Sequence, residues 1–279
     1  MTIDSHQHFW FYTPERDTWI TDDMAVIQRD FLPADLEPSL KANGIDGCVA
    51  VQADQSEAET VLLISLANAY DFIKGVVGWV DLRANGLYDK LETYSQYEEL
   101  KGFRHVAQAE PNDFLMRPEV INGIRQLAAF DFTYDILIYP SQLKAALHLV
   151  REVPQVKFVI DHLAKPYVKK QEITRWSNWM AEIAKQPNVS CKLSGMVTEA
   201  DWHGWSKKDS SASVFRPYLD VAFKEFGPDR LLFGSDWPVC LVAADYTQVK
   251  TLVEEYVQPW GEDVRGKVFG ENAVQFYGL

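Results

Sequence analysis

Cysteine is scarce in this chain: Cys48, Cys191 and Cys240 are its three, odd in number and far apart. Such a set builds no disulfide framework and reads as buried thiols of a reducing compartment, which points to the cytoplasm. No apolar run approaches the ~20 residues that cross a bilayer. Asp4, His6 and His8 stand where a secretory leader would need its apolar stretch. Basic clusters are missing too. The nearest, Lys169-Lys170 and Lys207-Lys208, are isolated pairs in a chain of net charge -13 and pI about 4.9. Binding nucleic acid without regard to sequence needs clustered Lys and Arg to displace counterions, so neither nucleic acid nor membrane is expected as a partner. What the chain has is core: 279 residues, 47% hydrophobic and 13% aromatic, enough for one domain over 1–279.

Short apolar runs alternate with longer amphipathic ones. Strand-like runs cover 2–9, 47–52, 75–81, 101–106, 132–138, 156–162, 189–193 and 231–234, most of them apolar on both faces, as parallel strands covered on both sides are. Helical spacing covers 33–42, 56–70, 118–130, 141–150, 172–185, 214–226, 246–257 and 264–276. Ser56 with Glu59 three residues on is a capping-box pattern, and Asn43-Gly44 a helix stop. Eight strands alternating with helices imply a (β/α)₈ TIM barrel. An open doubly wound sheet is disfavoured because no Gly-x-Gly-x-x-Gly or Walker-type turn follows the first strand. Two insertions follow strands: 9–32, with Phe9, Trp10, Phe11, Tyr12 and Trp19, and 198–213, with Trp202, His203 and Trp205.

His6 and His8 are spaced for one face of a strand, a few Å apart, and Asp4 is expected to share that face. On a helix the same spacing would splay the rings by about 200°. Barrel enzymes keep their chemistry at strand C-termini, and polar residues fall there throughout: Gln52 and Asp54 after strand two, Arg104 and His105 on strand four, Asp135 on strand five, Asp161-His162 then Lys165 after strand six, Lys192 on strand seven and Asp236 after strand eight. Singly, each has an ordinary structural explanation; Lys192, for example, would serve as ion-pair partner for Asp4 or Asp161. Together, His6, His8, His162 and Asp236 converge on one end of one barrel.

His6-x-His8 and Gly234-Ser235-Asp236-Trp237-Pro238 resemble the amidohydrolase superfamily, in its amidohydrolase-2 branch. Gly102-Phe103-Arg104-His105, Asp161-His162-Leu163-Ala164-Lys165-Pro166, and Lys192-Leu193-Ser194-Gly195 with Thr198-Glu199-Ala200-Asp201-Trp202 are similar to its sugar-lactonase group, which includes L-fuconolactonase and L-rhamnonolactonase. The resemblance implies a distorted amidohydrolase-type barrel that hydrolyses a sugar-acid lactone to the open aldonic acid. It makes Asp236 and His162 catalytic and gives His6, His8 and Asp236 to one divalent metal, zinc before others. The superfamily's two-metal site also needs a bridging residue on strand four and a histidine on strand five; here stand Arg104-His105 and Asp135. The expectation is therefore one metal or none.

For the substrate, Arg104, His105, Gln52, Asp54 and Lys192 are expected to bind hydroxyls, with Trp10, Trp202 and Trp237 laid against the sugar, their indole N–H groups free to donate. Without a metal, His6, His8 and His162 are expected to donate to the developing oxyanion. Competing readings are a lactone isomerase or aromatic-acid decarboxylase of the same branch and, from another class, a non-catalytic sugar-binding barrel. Association into a homo-oligomer is left open by the sequence.

Overall fold

The structure, a computed structural model, describes residues 1–205 and 211–279. Residues 206–210, including the Lys207-Lys208 pair and part of the second insertion, lie outside the described residues. Eight parallel strands pair in sequence order: β1 (Ile3–Gln7), β2 (Gly47–Val51), β3 (Ile73–Gly78), β4 (Leu100–His105), β5 (Thr133–Ile136), β6 (Phe158–Ile160), β7 (Val189–Leu193) and β8 (Leu231–Phe233). The ring nearly closes where β1 meets the segment after β8. There Asp236 N–H donates to His6 O at 2.8 Å and His8 N–H to Trp237 O at 2.7 Å. The barrel expected from the sequence is the fold found.

Helices α1 (Pro33–Ala42), α2 (Glu57–Ala69), α3 (Leu87–Tyr94), α4 (Pro118–Gln126), α5 (Leu143–Glu152), α6 (Thr174–Ala184), α7 (Arg216–Phe226) and α8 (Tyr246–Val257) follow the strands. α3 has no counterpart among the expected helices: it is eight residues long, and its N-cap, Gly86, offers no side-chain cap. The closing helix is broken into α9 (Glu262–Gly266), a π segment at Lys267–Glu271 and α10 (Asn272–Tyr277). α10 plugs the bottom of the barrel, where Ala273, Phe276 and Tyr277 pack with Ile3, Val49, Val51, Val77, Val159 and Leu232. Ser56 caps α2 by accepting from Glu59 N–H, but Glu59 does not reciprocate; its carboxylate accepts from the N–H groups of Ala53 and Asp54 and so holds the β2–α2 loop.

In β1 the register shifts between Asp4 and Gln7, the mark of a bulge. The extra residue breaks the alternation the sequence suggests. Asp4 does not share a face with the histidines. It accepts from Tyr246 Oη on α8 at 2.9 Å and from Ser235 N–H at 2.9 Å, while His6 and His8 point into the barrel mouth. Cys48, Cys191 and Cys240 are free and buried.

Candidate active site

Asp236 sits one turn of backbone past β8 with φ +59, a left-handed conformation that a non-glycine residue adopts only when its surroundings impose it. Its Oδ1 faces three imidazoles, with His8 Nε2 at 3.4 Å, His162 Nε2 at 3.7 Å and His6 Nε2 at 3.9 Å. Burial alone would raise its pKa. His162, the His8 hydrogen bond and the field of His6 outweigh burial and hold the carboxyl well below the usual range. Burial pushes His162 down to about 4 and His6 well below its ordinary value, so both rings are neutral at pH 7. Two glycines make room. A Cβ at Gly195 would lie 2.5 Å from His162 Nδ1, and one at Gly234 would lie 2.7 Å from His6 Cβ.

His162 reaches the mouth through an unusual turn. His162, Leu163, Ala164 and Lys165 all have φ between 50 and 55°, and Lys165 N–H donates to His162 O at 2.7 Å, a left-handed counterpart of a 3₁₀ turn. Each such residue costs roughly 1–2 kcal/mol. The surroundings offset this cost: Leu163 and Ala164 are buried, and Trp176 Nε1–H of α6 donates to Leu163 O at 2.7 Å.

His8 Nδ1 lies 2.7 Å from Val51 O, which can only accept, so Nδ1 carries a proton and donates it there. Its Nε2 faces the Asp236 carboxylate at 3.4 Å. That pairing, with His6, His8 and Asp236 offering ligand atoms within 4.8 Å of one another, is suited to a divalent cation. The nitrogen–oxygen donor set is one zinc accepts. His162 is free to donate from Nε2, since Ser194 Oγ, 2.9 Å from Nδ1, can donate to it and leave the proton on Nε2.

Beneath the mouth lies a buried charge cluster. Lys192 Nζ is 2.5 Å from Asp135 and 3.1 Å from both Asp161 and His6 Nδ1. Arg104 Nη1 is 3.0 Å from Asp161 and 3.2 Å from His6 Nε2. Burial raises both carboxyls, yet Asp161, flanked by Lys192, His6 and Arg104, stays well below its usual value, while Asp135 remains raised.

The cavity above Asp236 holds about 410 Å³, within the range of small-molecule sites. Among the expected residues, it brings together His8, Asp54, Arg104, His162 and Asp236. It does not include several others. Lys192 is fully buried among Asp135, Asp161 and His6, so it is no substrate contact. Gln52 is buried and accepts from Arg104 Nε at 2.9 Å, which makes it a support for Arg104. His105 points away from the barrel interior, between Trp79 Nε1–H and Glu110 and against Phe114, because strand alternation sends it opposite to Arg104. The indole N–H groups of Trp10 and Trp202 are spent on Arg29 O and Thr198 O, so neither is free to donate as expected. Trp237 is buried against Phe9 and Phe31. In their place the cavity is lined by Trp19, exposed at 42%, and by Gln55, Gln108 and Lys165. Trp19 lies in the aromatic insertion already visible in the sequence, and Lys165 in the Asp161–Pro166 motif.

A family model described as amidohydrolase matches residues 3–279. Over the whole chain the sequence is 38% identical to an L-fucono-1,5-lactonase of Burkholderia multivorans, of which 96% is covered. It is 35% identical over 99% of its length to one of Burkholderia ambifaria, of which 94% is covered. Its fold superposes on the crystal structure of a zinc-bound amidohydrolase from Burkholderia multivorans with a TM-score of 0.95 at 38% identity, covering 100% of this chain and 99% of that one. The chain belongs to the amidohydrolase family. Among the described residues no helix is long and apolar enough to cross a membrane.

Proposed function

We propose that this enzyme is a lactonase that hydrolyses a sugar-acid lactone to the open aldonic acid, with Asp236 as the general base. The observation that carries the reading is the Asp236 carboxylate, ionised at neutral pH and ringed by His6, His8 and His162 at the floor of the cavity. The names of the two Burkholderia lactonases support the substrate class. Asp236 takes a proton from the attacking water and returns it to the departing ring oxygen. His162 Nε2–H and Arg104 donate to the carbonyl oxygen as it gains charge; such a donor is typically worth roughly 3–4 kcal/mol. Asp54 and Gln55 meet the hydroxyls, and Trp19 offers an aromatic face to the sugar. A divalent ion, zinc by donor set, would be held by His6, His8 and Asp236 and would lower the pKa of bound water towards about 7.

The test is a panel of sugar lactones of both ring sizes, assayed by proton release and NMR on protein of measured metal content, with and without chelator. Appearance of the open acid supports the reading. Conversion to another lactone, release of carbon dioxide from an aromatic acid, or binding without turnover would replace it with one of its competitors. Activity that survives chelation at zero metal content would assign the chemistry to the side chains alone.

A further inference from the structure

The left-handed turn after β6 brings a second side chain to the cavity. In a turn of three residues per revolution, positions i and i+3 eclipse, so His162 and Lys165 emerge along one edge, and both line the cavity with Asp236. Lys165 Nζ lies 2.9 Å from Glu199 Oε1 on the segment following β7, and both side chains are mostly buried, at 16% and 17% exposure. Glu199 takes one of the ammonium's three N–H donors and fixes its position. Burial works against the charge, but Glu199 outweighs it and the pKa ends above its ordinary value, so the group enters the site as a cation.

We propose that Lys165 is a catalytic residue: its ammonium binds the ring oxygen of the lactone and stabilises the charge that builds there as the ring C–O bond breaks. This rests on the lactonase reading above. A buried cation is ill matched to a neutral hydroxyl, which a serine or amide could hold without the cost of desolvating a charge. It is well matched to an alkoxide leaving group. In the step, the water oxygen bonds to the carbonyl carbon and its proton passes to Asp236. The bond from that carbon to the ring oxygen breaks, with its electron pair on the oxygen. The proton returns from Asp236 to that oxygen, and Lys165 stays protonated throughout. Glu199 is a positioning residue.

The alternative is that the Lys165–Glu199 pair only ties the β6 turn to the segment after β7, and kinetics separate the two. K165M is expected to lose about 10²–10³-fold in kcat, with KM changed only a few-fold. E199Q, which keeps the ammonium but loosens it, is expected to lose about tenfold or less. Ethylammonium should restore part of the kcat of K165A, and ethanol should not. Should K165M fail to fold because Glu199 is left buried and unmatched, the double variant K165M/E199Q removes both charges and should show the same loss in kcat. The proposal is overturned by a kcat within about threefold of wild type in K165M or the double variant, by equal losses in K165M and E199Q, or by ethanol rescuing K165A as well as ethylammonium does. Each of these results leaves lactone hydrolysis by the unaltered protein standing. Absence of that hydrolysis would overturn the lactonase reading itself.

Discussion

The same eight strands line two very different interiors. Low in the barrel, Ile3, Val49, Val51, Val77, Val159 and Leu232 meet the plug formed by α10, an apolar layer with every side chain buried. On the mouth side of that layer, Arg104, Asp135, Asp161 and Lys192 are equally buried, yet they are charged and bonded to one another and to His6. Area burial stabilises the lower layer directly. In the upper one, desolvation offsets much of the Coulombic gain, and a buried ion-pair cluster adds little net stability over an apolar core of similar volume. What it adds is position: His6 is gripped at both ring nitrogens, and Arg104 is held by Asp161 and Gln52. Tyr277 joins the layers, its hydroxyl rising from the plug to donate to Asp135 at 2.8 Å.

The division can be tested from the mouth downwards. Asp236→Asn should lower kcat by at least about 10³-fold while the thermal midpoint stays near that of wild type, measured by turnover and circular dichroism in parallel; retained activity would remove Asp236 from the chemistry. Lys192→Met strands two buried carboxylates and should cost both quantities, about 3–5 kcal/mol in denaturant titration together with a clear fall in kcat through His6. If only stability falls, the charged layer is not positioning the site. Leu232→Ala in the apolar layer should cost about 2–4 kcal/mol and leave kcat per folded molecule nearly unchanged.

The last test concerns Glu59, which holds the β2–α2 loop beside the cavity. Burial, opposed by the two backbone N–H groups it accepts, raises its pKa from 4.5 to about 8. Between those values the folded chain keeps a proton that the unfolded chain has released, so Glu59 makes stability fall as pH rises through this window. Glu59→Gln should remove this contribution, which is on the order of a few kcal/mol across the whole span. Unfolding titrations of both proteins near pH 5 and pH 8 measure it. Identical pH dependence in the two would show that Glu59 is ionised throughout.

Most of the barrel was legible because buried parallel strands are written as short apolar runs, and every strand was found within a few residues of its ends. The convergence of His6, His8, His162 and Asp236 was legible too, since it follows from strand order and strand ends alone. The failures share a cause, which is backbone irregularity that residue type does not announce. A bulge turned Asp4 to the other face. Four left-handed residues, none of them glycine, brought Lys165 round beside His162, where an ordinary loop reading gives it no role. Sequence position alone puts Lys192, Gln52 and His105 at the mouth. Whether a strand-end side chain reaches the cavity, the layer beneath or the outer helices depends on its height and its alternation, which only the fold supplies. The aromatic residues mislead for a similar reason. Trp10 and Trp237 are core, and Trp19, near neither strand nor motif, stands at the rim.

The seam between β1 and β8 has a consequence for how the protein is made. His6 and His8 belong to the first strand of the barrel, and Asp236 comes only after all eight strands have been synthesised. The hydrogen bonds that join Asp236 to His6 and His8 to Trp237 therefore form only after the last strand has been made. An incomplete chain carries the imidazoles but not the carboxylate they surround. No nascent or truncated form that stops before the final strand can hold the assembled site, so activity appears only once the ring is joined.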